Sequence, residues 1–154
     1  MDRDTDRRVV ERQLGRPPRA FRRVVVRCPF GRPAVTEQAP FDDSGEPFPT
    51  TFWLTCPRLV AAVSRVEAAG GVERWSHAAA EDEELRVSLE RANEDQRRIR
   101  PELDLGIGGA RRGAGSLKCL HAHVAFALAR PGYELGERVL AELDPLWPDV
   151  CCTP

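Results

Sequence analysis

Thr50-Thr51-Phe52-Trp53-Leu54-Thr55-Cys56-Pro57, running on as RLVAAVSRVEAA (58–69) to Gly70-Gly71, changes period within two residues. Residues 50–55 are β-branched, aromatic or Leu, the composition that fits a half-buried pleated surface. From Pro57 the apolar positions fall at Leu59, Val60, Val63 and Val66, one stripe of a helix. Pro57 suits the first helical position and Gly70-Gly71 ends the run, so a strand over 50–55 leads directly into a helix over 57–69. Thr55 or Cys56 then occupies the cap.

Upstream, residues 5–14 place Val9, Val10 and Leu14 on one side of a short helix, closed by Gly15 and Pro17-Pro18. Residues 20–28 are β-rich, Pro29-Phe30-Gly31-Arg32-Pro33 breaks them, and 34–39 returns as a second strand. Cys28 thus sits at a hairpin turn. Residues 40–49 (PFDDSGEPFP) are turn formers throughout. Downstream, 72–80 reads as a short helical piece. Residues 81–99 read as a long polar helix with Leu85, Leu89, Ala92 and Ile99 turned inward. GIGGARRGAG (106–115) is a glycine-rich connection, after which Ser116 can cap a helix to about Ala129 that is apolar nearly all round and therefore buried. A last helix covers roughly 135–143. Strands come early and helices late, which predicts an α+β fold: a small antiparallel sheet of about three strands packed with four to five helices. One domain over 1–154 is expected, with a core of about 9–145 and a tail over 146–154.

At 154 residues, 42% hydrophobic, 31% charged and net charge −1, the composition is that of a globular protein. No apolar run approaches the ~20 residues of a membrane span. The start, MDRDTDRR, has no signal-peptide character, which places the chain in the cytoplasm, where thiols stay reduced. Five cysteines, an odd number, also fit poorly with a disulfide framework. Of 23 basic residues only Lys118 is Lys, so any single Arg carries little information.

Chemistry concentrates in Lys118-Cys119-Leu120-His121-Ala122-His123, the one place where Cys and His crowd together. Cys28-Pro29 and Cys56-Pro57 supply two further thiols. Thiolate and imidazole together suit Zn²⁺, and four such ligands in tetrahedral array make a structural site. The paired CxxC spacing of zinc ribbons is missing. On a regular helix Cys119 and His123 share a face, whereas Cys119 and His121 point roughly 160° apart, so spacing alone favours His123. A thiol nucleophile activated by His121 or His123 is a second reading of the same residues, with Cys119 or Cys56 as the nucleophile. A third is that the cysteines are simply small buried hydrophobes.

PFPTTFWLTCPRLVAAVSRVEAAGG (47–71) and KCLHAHVAFALA (118–129), together with VERQLGRPPR (10–19) and RCPFGRPAV (27–35), resemble the bacterial family called domain of unknown function 501, typical of actinobacteria. The resemblance runs from about residue 9 to 145. It implies a small cytoplasmic protein and supplies no activity. It also implies that Lys118-Cys119-Leu120-His121 is the family's core, which moves the expected metal set to Cys28, Cys56, Cys119 and His121. With all four positions filled the metal would be structural and the protein a binding or adaptor module, and water in one position would open a hydrolytic role.

A separate anion-binding reading falls on Arg111, Arg112 and Ser116, where backbone N–H groups at a helix start meet two guanidinium groups. This is neither a P-loop nor a dinucleotide fingerprint. It predicts that Arg111 and Arg112 matter while the cysteines do not. Arg16, Arg19, Arg22, Arg23, Arg27 and Arg32 form a basic stretch, but near-zero net charge and 6% aromatics argue against nucleic acid. Phe48, Phe52 and Trp53 are candidates for core or for a protein partner's groove, and His77 and Trp75 for packing.

Overall fold

The computed structural model describes residues 1–152; Thr153 and Pro154 lie outside them. The chain runs α1 (Arg3–Leu14), β1 (Phe21–Arg27), β2 (Pro33–Gln38), β3 (Phe52–Leu54), α2 (Pro57–Ala68), α3 (Gly71–Glu81) and α4 (Glu83–Ile99). A 3-10 turn (Ile107–Gly109) then leads to α5 (His121–Ala129) and α6 (Glu134–Ala141). The sheet is antiparallel in the order β1-β2-β3, so the fold is α+β with three strands and, among the described residues, six α-helices.

Cys28 does close the β1–β2 hairpin. Its N–H donates to the Arg32 carbonyl at 2.9 Å and its carbonyl accepts from Gly31, which takes the left-handed φ of 78° that the turn requires. The central strand β2 is buried at every position except Glu37, so both of its faces are covered. β3 is shorter than the 50–55 run implies. The run continues outside the regular ladder, with Thr51 accepting from Gln38 N and Thr55 donating to Ala34 O.

α2 begins where the period changes. Cys56 is its N-cap with extended backbone, and Pro57 holds the first helical position. Leu59 and Val63 are buried, about 2 kcal/mol of apolar transfer for each side chain. Gly70, at φ 86°, ends the helix, and Gly71 at once begins α3. A Cβ at Gly71 would stand 2.6 Å from the Val66 carbonyl oxygen, so the glycine permits this close approach.

α5 is the buried helix. Residues 122–127 are all inaccessible, and Phe126 meets Phe52 and Tyr133 edge-on at centroid distances of 5.7 and 5.9 Å. It begins at His121 and not at Ser116. The Ser116 hydroxyl instead accepts from Lys118 N at 3.2 Å, and Lys118 sits at a left-handed φ of 67° that a helix cannot continue through. Arg100, only 3% exposed, closes α4 against the sheet by donating to the Phe48 carbonyl at 2.7 Å and to the Gln38 carbonyl. No helix among the described residues is long and apolar enough to cross a membrane.

Candidate functional site

The three cysteines and His121 come from the β1–β2 turn, the α2 N-cap, and the segment entering α5. Cys28 and Cys56 are buried in the core, and Cys119 is half-buried just ahead of α5, its N–H returning to the Leu117 carbonyl in a tight turn. Burial raises the pKa of the Cys56 thiol, and the neighbouring thiol it meets is that of Cys152. Among the described residues no three Cys, His, Asp or Glu side chains gather as a metal would require.

His121 points elsewhere. Its Nδ1 lies 3.1 Å from Glu67 Oε2 and its Nε2 lies 3.2 Å from Ser64 Oγ. The same Glu67 oxygen accepts the Leu120 N–H at 2.6 Å. Hydroxyl, imidazole and carboxylate stand in the order of an acyl-transfer relay, but such chemistry also needs free N–H donors beside the nucleophile. Ser64 lies in mid-helix, where the amides are spent on i→i−4 bonds. The arrangement therefore acts as a clasp: Glu67 of α2 caps the N-terminus of α5, a role its own helix gives no sign of.

His123 is the unusual group. It is 2% exposed, its Nδ1 lies 2.8 Å from the Tyr133 hydroxyl, and its Nε2 has no hydrogen-bond partner. The Leu117 carbonyl favours the protonated ring slightly but stands outside hydrogen-bond geometry, and burial dominates, holding the pKa down at about 4. Burial also raises the Tyr133 pKa, so the phenol keeps its proton. That proton needs an acceptor, and Nδ1 is the one at hand. Tyr133 O–H therefore donates to Nδ1, which leaves the ring's own proton on Nε2 with nothing to receive it.

His123 is among the residues that line a cleft of about 560 Å³ between α3, α4 and the glycine-rich loop. The rim carries Arg111, Arg112 and Ser116 from the loop and Arg86 and Arg97 from α4. Against four arginines stand Glu90 and Glu94. Glu94 is already engaged by Arg97 at 2.9 Å and by Arg112 at 3.0 Å, and Arg112 also reaches Asp104 at 3.2 Å. Arg97 Nε is buried without a hydrogen bond. Among the described residues Arg111 makes no ion pair. Local bonds fix the loop's ends. Asn93 Oδ1 accepts from Ile107 N at 2.9 Å, and Ser76 Oγ accepts from Leu117 N at 3.1 Å.

A larger cleft, about 1040 Å³, runs along the other side of α4, but its charges answer one another, as in Arg130–Asp95 at 2.7 Å. The N-terminal arginines are likewise occupied. Arg19 pairs with Asp42, Arg22 and Arg23 with Glu37, and Arg27 with Asp6, which removes most of a basic footprint. Phe52 is core. Phe48 and Trp53 pack on each other at 5.4 Å with the Arg19 guanidinium over Phe48. Trp75 donates to Glu142 at 2.5 Å, while His77 is exposed.

The family described as Protein of unknown function (DUF501) matches residues 24–104. The chain belongs to it. No curated protein and no solved structure matches the chain. The DUF501 match takes in the sheet from Val24 onward, α2 with Ser64 and Glu67, and the α4 wall of the cleft. It ends before the glycine-rich loop and before Lys118–His123.

Proposed function

We propose that this protein is a binding module for a small oxyanionic ligand, held in the cleft between α3, α4 and the 110–116 loop. One observation carries the reading: the Nε2–H of His123, a residue that lines that cleft, is buried without a hydrogen-bond acceptor. A buried donor without a partner costs about 1–3 kcal/mol, so a ligand oxygen there recovers free energy the unliganded protein lacks. Arg97 Nε, on the α4 wall, is also buried without a hydrogen bond and has only the Asp104 carboxylate 3.8 Å away. Both groups are donors only, and the unpaired Arg111 above them adds charge, so the complement is an acceptor-rich anion: phosphate, sulfate or carboxylate oxygens. Reaching Nε2, which is buried, requires the segment whose Leu117 carbonyl stands beside the ring to give way. That segment carries the left-handed Lys118, a conformation that costs about 1–3 kcal/mol and that movement can relieve.

Calorimetric titration with inorganic phosphate, sulfate and acetate at constant ionic strength tests the proposal. Saturable binding of at least one anion is expected, about tenfold weaker in Arg111→Ala, whose side chain is exposed and unpaired and whose loss leaves the fold intact. Phosphate and sulfate binding without acetate assigns a phosphoryl-type group, and acetate binding assigns a carboxylate. No saturable binding of any of the three, or equal affinity in Arg111→Ala and the unsubstituted protein, overturns the reading.

A further inference from the structure

Away from the cleft, the tail returns to the junction of α1, β2 and α2. Cys152 packs on the hydrophobic core, and its Sγ lies 3.7 Å from Gln13 Nε2. The same Gln13 nitrogen donates to the Pro33 carbonyl at 2.8 Å, so the tail's last described residue is seated on two other elements. There Cys152 packs on the core cluster that contains Cys56, the N-cap residue of α2, and the two thiols are neighbours. Cys56 is 2% exposed, and Cys152 is half-buried.

We propose that Cys56 and Cys152 form a modification site: a peroxide oxidises them to a disulfide that fastens the C-terminal tail to the start of α2. The accessible thiol reacts first. Cys152 sulfur attacks a peroxide oxygen, the O–O bond breaks, and water leaves with the transferred proton, giving the sulfenic acid. Cys56 sulfur then attacks Cys152 sulfur. The S–O bond breaks, a second water leaves with the Cys56 proton, and the S–S bond forms. Two thiols and one hydrogen peroxide thus become one disulfide and two waters, the thiols giving up the two electrons that the peroxide gains. Burial, by raising the Cys56 pKa, makes that residue the slower reactant and the resolving partner. Closing a loop of this length restricts the unfolded chain.

The 154-residue chain, reduced and then treated with stoichiometric hydrogen peroxide, is mapped by peptide mass spectrometry and melted with and without reductant. A Cys56–Cys152 cross-linked peptide is expected, with a melting temperature roughly 10 °C above that of the reduced form. Cys152→Ser, near the chain end, should fold as before and lose both effects, while Cys151→Ser keeps them. Over-oxidation of Cys152 without a cross-link, or a cross-link from Cys56 to Cys28 or Cys151 in its place, overturns the proposal. Anion binding is measured elsewhere in the molecule and stands or falls separately.

Discussion

Acidifying this protein from about pH 7 to about pH 5 should remove about 2 kcal/mol of stability through one side chain, His123. Its folded pKa is about 4, against an ordinary 6.5. Above the ordinary value both folded and unfolded chains hold the ring neutral, and it contributes no pH dependence. Between the two values the unfolded chain takes up a proton that the folded chain refuses, so stability falls with pH across that window. Below about 4 both states are protonated and the loss levels off, at a total of about 3 kcal/mol for the full separation. Roughly two-thirds of that appears by about pH 5. Asp2, Asp42 and Glu142, whose pKa values hydrogen bonds lower, lose their contribution only as pH falls further, through the carboxylate range.

Urea denaturation at a series of pH values measures the slope, with His123→Asn as the comparison. The variant will be less stable at every pH, because it leaves a void beside Tyr133, but it cannot titrate there. The quantity that decides is the difference in slope. Wild type should lose about 2 kcal/mol more than His123→Asn between about pH 7 and 5, a shift of about 4–8 °C in melting temperature. A proton NMR titration of the His123 ring supplies the direct reading. Parallel stability curves for the two proteins, or a ring that titrates near its ordinary value, would refute the burial argument. They would also remove the reason for placing an unsatisfied Nε2–H beside the cleft.

Substitutions at three further residues probe the scaffold. Glu67→Ala removes the acceptor for Leu120 N and the partner of His121, so thermal unfolding should show a loss of about 1–2 kcal/mol. Ser64→Ala, which only trims an exposed hydroxyl, should stay within about 0.5 kcal/mol. Arg100→Met leaves the Phe48 and Gln38 carbonyls without their donor and should cost about 2–3 kcal/mol in denaturant titration. Arg100→Lys should recover only part of this, because an ammonium cannot reach two carbonyls with a planar fork.

The boundary at Cys56-Pro57 was legible because it is local: strand residues, a proline at N1 and a helical stripe follow one another without outside help. The inward side of α4 was legible for the same reason, from the spacing of Leu85, Leu89 and Ala92. The start of α5 was not. Its cap is a carboxylate on another helix, Glu67, and no window around Ser116 contains it. Ser64 and Glu67, three apart on the polar side of α2, carry no signal until His121 is seen between them. Of the cysteines, Cys28 and Cys56 are buried and Cys119 half-buried, but which thiol meets which is a tertiary fact, and Cys152 lies in the tail, far from the others in sequence. Helical spacing singled out His123, and the family resemblance moved the choice to His121. The structure gives each a different task, one clasping α5 to α2 and the other facing Tyr133.

Leu117 is where these tasks meet. Its N–H is held by Ser76 Oγ, its carbonyl receives Cys119 N at 2.8 Å, and the same carbonyl stands beside the His123 ring without bonding to it. Three residues on, α5 is locked to α2 through Leu120 N and His121. The segment between is too short to absorb a change at one end without passing it to Lys118, whose left-handed backbone is already costly for a residue with a Cβ. An anion that draws on Nε2–H would displace a carbonyl that makes poor use of it and would relax the turn at Lys118 in the same movement. The orphaned donor and the strained turn are therefore adjacent parts of one arrangement, which a bound oxyanion would complete and a purely structural core histidine would leave unexplained.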